Sequence, residues 1–235
     1  MKRRWLRLAM LAVILLGFGL RAATLADQEL RGDEAFGYFF SLRPYAEIIT
    51  ATLALKEPHP VASYFVQRAW LGWAGQSEYA LRFSSLWFGV LAMALLARLG
   101  RRLDLPPLTC WLAAGLLAIS PYAIWHSQDA RMYSMSLALT IASTWLAVEW
   151  LQHQRWPWGA AYVAVSWLAL HTHYFAGFVL LAQNLFVLSR AFYLRRLWIT
   201  LSSWLSLQGV LGGVGFSRGT PARGGVAAFY RQGDS

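Results

Sequence analysis

Long apolar runs separated by short polar turns cover most of this chain. About 20 apolar residues are enough to cross a bilayer as a helix, and runs near that length recur along the sequence. They lie at residues 8–20, 78–99, 108–125, 133–151, 159–170, 177–188 and from 198 onward. The pattern predicts an all-α fold, a polytopic transmembrane helical bundle with about six to seven spans.

The first predicted outer loop, residues 27–75, contains no run that is long and apolar enough to span. Residues 33–42 and 45–55 have the pattern of short amphipathic helices. Residues 61–73 form a third apolar piece, which we expect to lie along the membrane surface. The sequence therefore predicts a long first outer loop that carries juxtamembrane amphipathic helices.

The span that follows this loop begins with recognisable helix-start signals. Ser77 is a good N-cap residue. Glu78 and Arg82 are spaced four residues apart, as in an ion pair along one helix face.

Basic residues favour one orientation of the bundle. Short cytoplasmic turns are enriched in Lys and Arg. The turns placed inside hold Lys2, Arg3, Arg4, Arg7, Arg98, Arg101, Arg102, Arg155, Arg190, Arg195 and Arg196. We therefore predict a multi-pass plasma-membrane protein with a cytoplasmic amino terminus. A signal peptide ending at Ala26 is an open alternative for the first run.

Composition excludes two broad classes. The chain is 57% hydrophobic and only 14% charged, unlike a soluble domain, in which about a quarter of the residues are charged. The formal charge of +10 is scattered between apolar runs and forms no basic stripe, so nucleic acid is not an expected partner. Membrane lipids are the expected partners instead. Cys110 is the single cysteine, so no internal disulfide is possible.

Carboxylates and imidazoles collect on the predicted outer side. The residues are Asp27, Glu29, Asp33, Glu34, Glu47, Glu57, Glu78, Asp129, His59, His126, His171 and His173. No topology rule requires this distribution, so we predict a functional site on the extracytoplasmic face.

The end of the chain changes character. Residues 208–235 are rich in glycine and have little to bury, so we expect a disordered tail. The abrupt change suggests a truncated or frameshifted reading frame. Residues 1–207 would then be an incomplete amino-terminal membrane domain.

Asp33 and Glu34 follow Gly32 and open a predicted helix. Acidic residues stabilise the positive end of a helix, which is one interpretation. The other is a general base, a carboxylate at the membrane edge that takes a proton from an acceptor hydroxyl.

Glu57-Pro58-His59-Pro60 has two interpretations of equal weight. Each proline favours extended geometry in the residue before it, so Glu57 and His59 leave the chain on the same side. They can then converge on one divalent cation. Alternatively, the tetrapeptide is a rigid turn between two interfacial helices.

Asp129 and Arg131 lie between two predicted spans. Asp129 is either an ordinary helix N-cap or part of the site. Arg131 matches phosphate oxygens with a two-point fork, so it is a candidate phosphate ligand. His171 and His173, two apart, cannot share a ligand from one helix face, so we expect interfacial or interhelical hydrogen-bonders rather than catalysts.

Five motifs in order give the chain a family resemblance. They are Gly32-Asp33-Glu34, Glu57-Pro58-His59-Pro60, Gly75-Gln76-Ser77-Glu78-Tyr79-Ala80-Leu81-Arg82, Ser120-Pro121 and Ser127-Gln128-Asp129-Ala130-Arg131-Met132-Tyr133. Together they resemble the GT-C membrane glycosyltransferases, in the branch of protein O-mannosyltransferases, aminoarabinose transferases and lipopolysaccharide galacturonosyltransferase-like proteins. Val61 stands where relatives often have a second proline.

The resemblance implies catalytic roles for three acidic residues. Asp33 matches the first-loop aspartate that such enzymes use as base, Glu34 lies beside it, and Asp129 matches the second-loop acidic position.

The resemblance also implies ligands. Arg131, Lys56 and Tyr133 form the predicted phosphate-binding set. Glu57 and His59 resemble the metal-binding pair of aminoarabinose transferases, which implies a divalent metal, although other relatives work without one.

The implied function is transfer of a sugar from a polyprenyl-phosphate donor to a lipid, glycan or protein of the cell envelope. The alternatives are a transporter or flippase-like protein that binds a lipid-linked sugar without reacting it, and an inactive fragment.

Overall fold

The computed structural model describes residues 2–54, 59–194 and 198–216. These residues form helices and no strand, which confirms the all-α prediction. In chain order the helices are α1 (Lys2–Ala22), α2 (Gly32–Ser41), α3 (Tyr45–Leu53), α4 (Ala62–Ala74), α5 (Glu78–Arg102), α6 (Pro107–Ile119), α7 (Pro121–Ser127), α8 (Tyr133–His153), α9 (Trp156–Leu170), α10 (Ala176–Leu194) and α11 (Trp198–Phe216).

The three short helices predicted in the first loop are present as α2, α3 and α4. They pack on one another through a small core made by Phe40, Ile48, Ala51 and Tyr64. The loop is therefore a folded cap on the bundle.

Within the described ranges, three helices are long and apolar enough to cross a membrane: Arg4–Ala22 within α1, then α5 and α8. The bent pair α6–α7 makes a fourth if it is counted as one span. The number of six to seven spans stays a prediction. α9 has 15 residues and is about 22 Å long, shorter than the roughly 30 Å hydrocarbon core.

α5 and α8 form the centre of the bundle and pack along each other extensively. They run parallel, because Ser85 near the start of α5 donates to the carbonyl of Arg131, just before α8. At the other end, Arg102 of α5 pairs with Glu149 of α8. Those residues of the predicted outer site that the structure describes lie at the first of these two ends.

The predicted span at residues 108–125 is broken, and α6 and α7 meet at 61°. Pro121 has no N–H to donate, so the helix cannot continue through it. Arg21 of α1 is fully buried and donates to the freed carbonyls of Leu117 and Ala118 at 3.0 and 2.9 Å. The break is thus satisfied by a charged side chain from another helix.

The second half of the bundle is joined by neutral polar groups as well as by apolar packing. The hydroxyl of Tyr162 in α9 donates to Gln183 of α10, which donates in turn to Ser143 and Thr144 of α8. Gln208 of α11 donates to Tyr162. These bonds tie four helices together.

α11 corrects the predicted start of the disordered tail, because the helix continues to Phe216 through residues 208–216. α11 contributes Trp204 and Leu211 to the core, and both are buried. Leu211 lies within residues 208–216, so this part of the predicted tail does bury apolar surface. The remainder of the predicted tail, 217–235, lies outside the described residues.

Candidate active site at one end of the bundle

Glu34 and Arg82 form a buried, two-point ion pair between the first loop and α5. Arg82 Nε and Nη2 lie 3.0 and 2.9 Å from Glu34 Oε1 and Oε2. Both side chains are buried, at 0% exposure for Glu34 and 4% for Arg82. The expected pair between Glu78 and Arg82 is replaced by this one, because only Glu34 meets the guanidinium away from water.

The same carboxylate also joins the two outer loops. Glu34 accepts from the backbone N–H of Ala130 at 2.9 Å and from that of Arg31 at 3.1 Å. Arg82 donates further to the carbonyls of Leu25, Gln28 and Glu29. α5, the segment before α2 and the segment before α8 therefore share one hydrogen-bonded centre.

Glu34 is committed to this structural role. Burial raises the pKa of Glu34, but hydrogen bonds from Arg82, Ala130 and Arg31 outweigh it and hold that pKa below its ordinary value. A buried, ionised carboxylate whose oxygens are already occupied is poorly placed to take a substrate proton. We therefore revise its predicted catalytic role to that of a positioning residue.

Asp33, the residue before Glu34, is exposed where Glu34 is buried. It lies in the first turn of α2 with a side chain that is 54% exposed, so a substrate can reach it. Its Oδ2 lies 3.7 Å from Arg131 Nε, and its backbone carbonyl accepts from Arg131 Nη1 at 3.2 Å. The structure thus brings the predicted base and the predicted phosphate ligand together.

Asp129 does not cap α8, which begins at Tyr133 after Met132. Its side chain is 6% exposed, and its Oδ1 lies 3.2 Å from Arg31 Nη2. Burial raises the pKa of Asp129 to about 6; Arg31 and Arg131 oppose that rise, whereas Glu34 and Asp33 add to it. The charge of Asp33 contributes to the raised pKa of Asp129, so the acid of the first loop and the acid of the second loop lie near each other.

Arg31 is a site residue that the sequence reasoning missed. It pairs with Asp129, and its guanidinium lies 5.3 Å from the centre of the Trp125 ring. The available signal was its position immediately before the Gly32-Asp33-Glu34 motif.

A cavity of about 750 Å³ opens at the same end of the bundle. Most of its lining is aromatic or apolar, and its polar lining includes imidazoles and hydroxyls. Its lining includes His59, His126, Tyr133 and His173. Asp33 and Asp129 do not line this cavity; they lie beside it.

Arg131 lies close to the acids and near the cavity without lining it. It contacts Asp33, and Tyr133, two residues later, is part of the cavity wall. Burial lowers the pKa of His173 in that wall, and the charges of His59 and Arg131 lower it further. The Nε of Arg131 and the Nδ1 of His126 are buried and have no hydrogen-bond partner among the described residues.

The two histidines after α9 have different surroundings. His171 stacks on Trp167, four residues earlier in α9, with ring centres 4.0 Å apart, and its Nδ1 lies 2.9 Å from the Trp167 carbonyl. His173 lines the cavity instead. The cavity roles of His126 and His173 were missed, although both had been placed on the outer side.

The predicted metal pair falls partly outside the described residues, because Glu57 does; the predicted phosphate ligand Lys56 lies outside them as well. The rings of His59 and His173 have centres 6.4 Å apart. In residues 2–54, 59–194 and 198–216 no group of three His, Cys, Asp or Glu side chains has a metal-binding arrangement. Metal binding at Glu57 and His59 remains a prediction.

Comparison with known proteins supplies the family. The profile of the dolichyl-phosphate-mannose-protein mannosyltransferases matches residues 58–217, more than half of the chain. The chain belongs to this family. No curated protein and no solved structure matches it.

Membership identifies a membrane glycosyltransferase of the GT-C type, and family members use polyprenyl-phosphate sugars as donors. The matched segment contains His59, Asp129, Arg131 and Tyr133. Asp33 lies before it, so its assignment depends on its own geometry and on the motif around it.

Proposed function

We propose that this chain transfers a sugar from a polyprenyl-phosphate donor to an acceptor hydroxyl on the extracytoplasmic face of the membrane. The observation that carries the proposal is the position of Arg131, which contacts the exposed carboxylate of Asp33 and lies two residues before Tyr133 in the wall of a largely apolar cavity. Acceptor, phosphate and lipid chain need these three environments side by side.

In the proposed reaction, Asp33 takes the proton of the acceptor hydroxyl as its oxygen attacks the anomeric carbon. The bond between that carbon and the phosphate oxygen breaks, and its electron pair leaves with the polyprenyl phosphate. General base catalysis of this kind contributes roughly 100- to 10,000-fold in rate. The exposure of Asp33 supports this role, since an acceptor can approach it.

Arg131 would neutralise the charge that develops on the leaving phosphate. Its buried Nε has no hydrogen-bond partner within the described part of the chain, and buried polar groups normally have one. A phosphate oxygen would supply it. Tyr133, two residues after Arg131, lines the cavity and would hold the same phosphate. Lys56, which lies outside the described residues, is the third proposed phosphate ligand.

Asp129 would act through Arg31, which it holds at 3.2 Å, by fixing the segment that precedes Asp33. Glu57 and His59 are the proposed ligands of a divalent metal, which would supply positive charge to a phosphate. The transfer assays that test the reaction also test which sugar and acceptor the enzyme uses, and thereby which branch of the family it belongs to.

The decisive experiment replaces Asp33 by Asn in the full chain. Asp33→Asn keeps shape and removes the base, so transfer from a panel of polyprenyl-phosphate sugars should fall about 100-fold or more. Release of free polyprenyl phosphate measures the reaction, and thermal unfolding in detergent measures the fold. Asp27→Asn, an exposed carboxylate outside this contact network, is the matched control and should keep full activity.

Two results would contradict the proposal. Undiminished transfer by Asp33→Asn would remove Asp33 as the base. A wild-type chain that binds or moves the donor across the bilayer but leaves it intact would instead be a transporter.

A further inference from the structure

The far end of α5 carries three arginines around one small cavity. The cavity has a volume of about 160 Å³ and lies at the opposite end of the bundle from Asp33. Its lining residues are Arg98, Arg101, Arg102, Trp145 and Glu149. Residues three and four apart share a helix face, where like charges repel one another.

The one carboxylate in this cavity is already occupied. Glu149 Oε2 lies 2.9 Å from Arg102 Nη2 and 3.4 Å from His153 Nε2, and its Oε1 accepts from Trp145 Nε1 at 2.9 Å. The Glu149 side chain is only 5% exposed. It holds Arg102 in place and leaves the other two guanidinium groups without a counter-charge.

Arg98 and Arg101 are both exposed, and neither takes part in an ion pair within the described ranges. The guanidinium of Arg98 lies 4.8 Å from the centre of the Trp145 ring, which fixes its direction. In addition, Nε of Arg102 is buried and has no hydrogen-bond partner among the described residues. The cavity thus presents oriented, uncommitted cationic donors.

We propose that this cavity binds a phosphate group, carried either by an anionic phospholipid of the membrane or by a soluble phosphate compound. Arginine matches phosphate oxygens with two parallel N–H donors. Basic pockets between transmembrane helices bind anionic lipid headgroups, and tryptophan is enriched at the depth of the headgroups. The cavity is about 24 Å from the level of Arg82, so it is separate from the sugar-transfer site.

The test measures the affinity of purified full-length chain for phosphatidylglycerol in phosphatidylcholine bicelles, by the shift of the thermal unfolding midpoint during titration. Arg98→Gln should weaken binding about fivefold, because the phosphate loses its direct contact with the Arg98 guanidinium in the cavity. Arg98→Lys keeps the positive charge but not the two parallel N–H donors, so its affinity for phosphatidylglycerol should fall less than that of Arg98→Gln.

Arg155→Gln is the matched control. Arg155 is exposed at the same end of the bundle and does not line the cavity, so its loss removes the same charge from the same region. Its phosphatidylglycerol titration should match that of the parent.

Inorganic phosphate and glycerol phosphate distinguish the two sources. A lipid ligand predicts that they compete weakly with phosphatidylglycerol, and a soluble ligand predicts a midpoint shift with either compound alone. The proposal is overturned if neither lipid nor phosphate shifts the parent, or if Arg98→Gln and Arg155→Gln weaken binding equally.

Discussion

At the scale of single residues, neighbouring acids differ sharply in their surroundings. Asp33 is half exposed and contacts one arginine, whereas Glu34 is fully buried and contacts Arg82 at two points. The sequence predicted that Asp33 and Asp129 face the same side. It did not reveal the pairing of Glu34 with Arg82, because that contact joins residues 48 positions apart.

Glu34→Gln should destabilise the protein strongly. The change leaves the buried guanidinium of Arg82 without its counter-charge, and breaking a buried ion pair in this way costs about 3–5 kcal/mol. Thermal and denaturant unfolding in detergent measure the loss. Glu47→Gln, an exposed acid in the first turn of α3, should change stability by no more than a few tenths of a kcal/mol. Equal stabilities of the two variants would contradict the role given to Glu34.

Asp129 should make stability depend on pH. Its pKa is raised from 3.8 to about 6, so the folded state holds this proton more tightly than the unfolded state does. The resulting stabilisation is complete below pH 3.8 and is lost as pH rises through about 6. Asp129→Asn should flatten the stability profile across that window, as followed by unfolding at a series of pH values. An unchanged profile in the variant would show that another group titrates there.

At the scale of helices, the sequence predicted most elements but not how they join. Ser77 caps α5 as expected, accepting from the N–H of Ala80 at 3.1 Å. The apolar pattern predicted one unbroken span over residues 108–125, although the proline at position 121 was a signal for the break. The partner of the break had no such signal, because nothing in the spacing of α1 reveals that Arg21 reaches the carbonyls of α6.

Gly89→Ala should separate α5 from its neighbours. A Cβ at this position would overlap the hydroxyl of Ser127 and lie 3.2 Å from Arg21 Nε. Both side chains are buried, so they cannot move aside freely, and overpacking of this kind costs about 1–3 kcal/mol. The unfolding midpoint measures the effect.

Gly115→Ala is the control within the same bundle. A Cβ on Gly115 of α6 would meet nothing within 4 Å, so this variant should be neutral or slightly more stable, because alanine favours helix. A Gly89→Ala protein as stable as Gly115→Ala would contradict the close packing described.

At the scale of the whole molecule, the two ends of the bundle carry different chemistry. One end holds Asp33, Asp129 and Arg131, and the other holds the arginines at the end of α5. Positive-inside reasoning predicts that the arginine end faces the cytoplasm. Charge counting can suggest this polarity from sequence, whereas the cavity beside Asp33 depends on side chains from loops far apart in the chain.

Cysteine labelling tests the orientation. Cys110 is buried, so the native chain offers little background to a membrane-impermeant maleimide. In intact cells Asp27→Cys should be labelled and Gln152→Cys should not, since the two exposed positions lie at opposite ends. The reverse pattern would place Asp33 in the cytoplasm and contradict extracytoplasmic transfer.

The link from Glu34 to Ala130 also has a consequence for biosynthesis. The ribosome delivers Glu34 long before it delivers Ala130, and Arg82 emerges between them. The acidic side chain must stay hydrated until the later helices insert. Assembly of the site is therefore a late event in translation, completed only when the segment before α8 arrives.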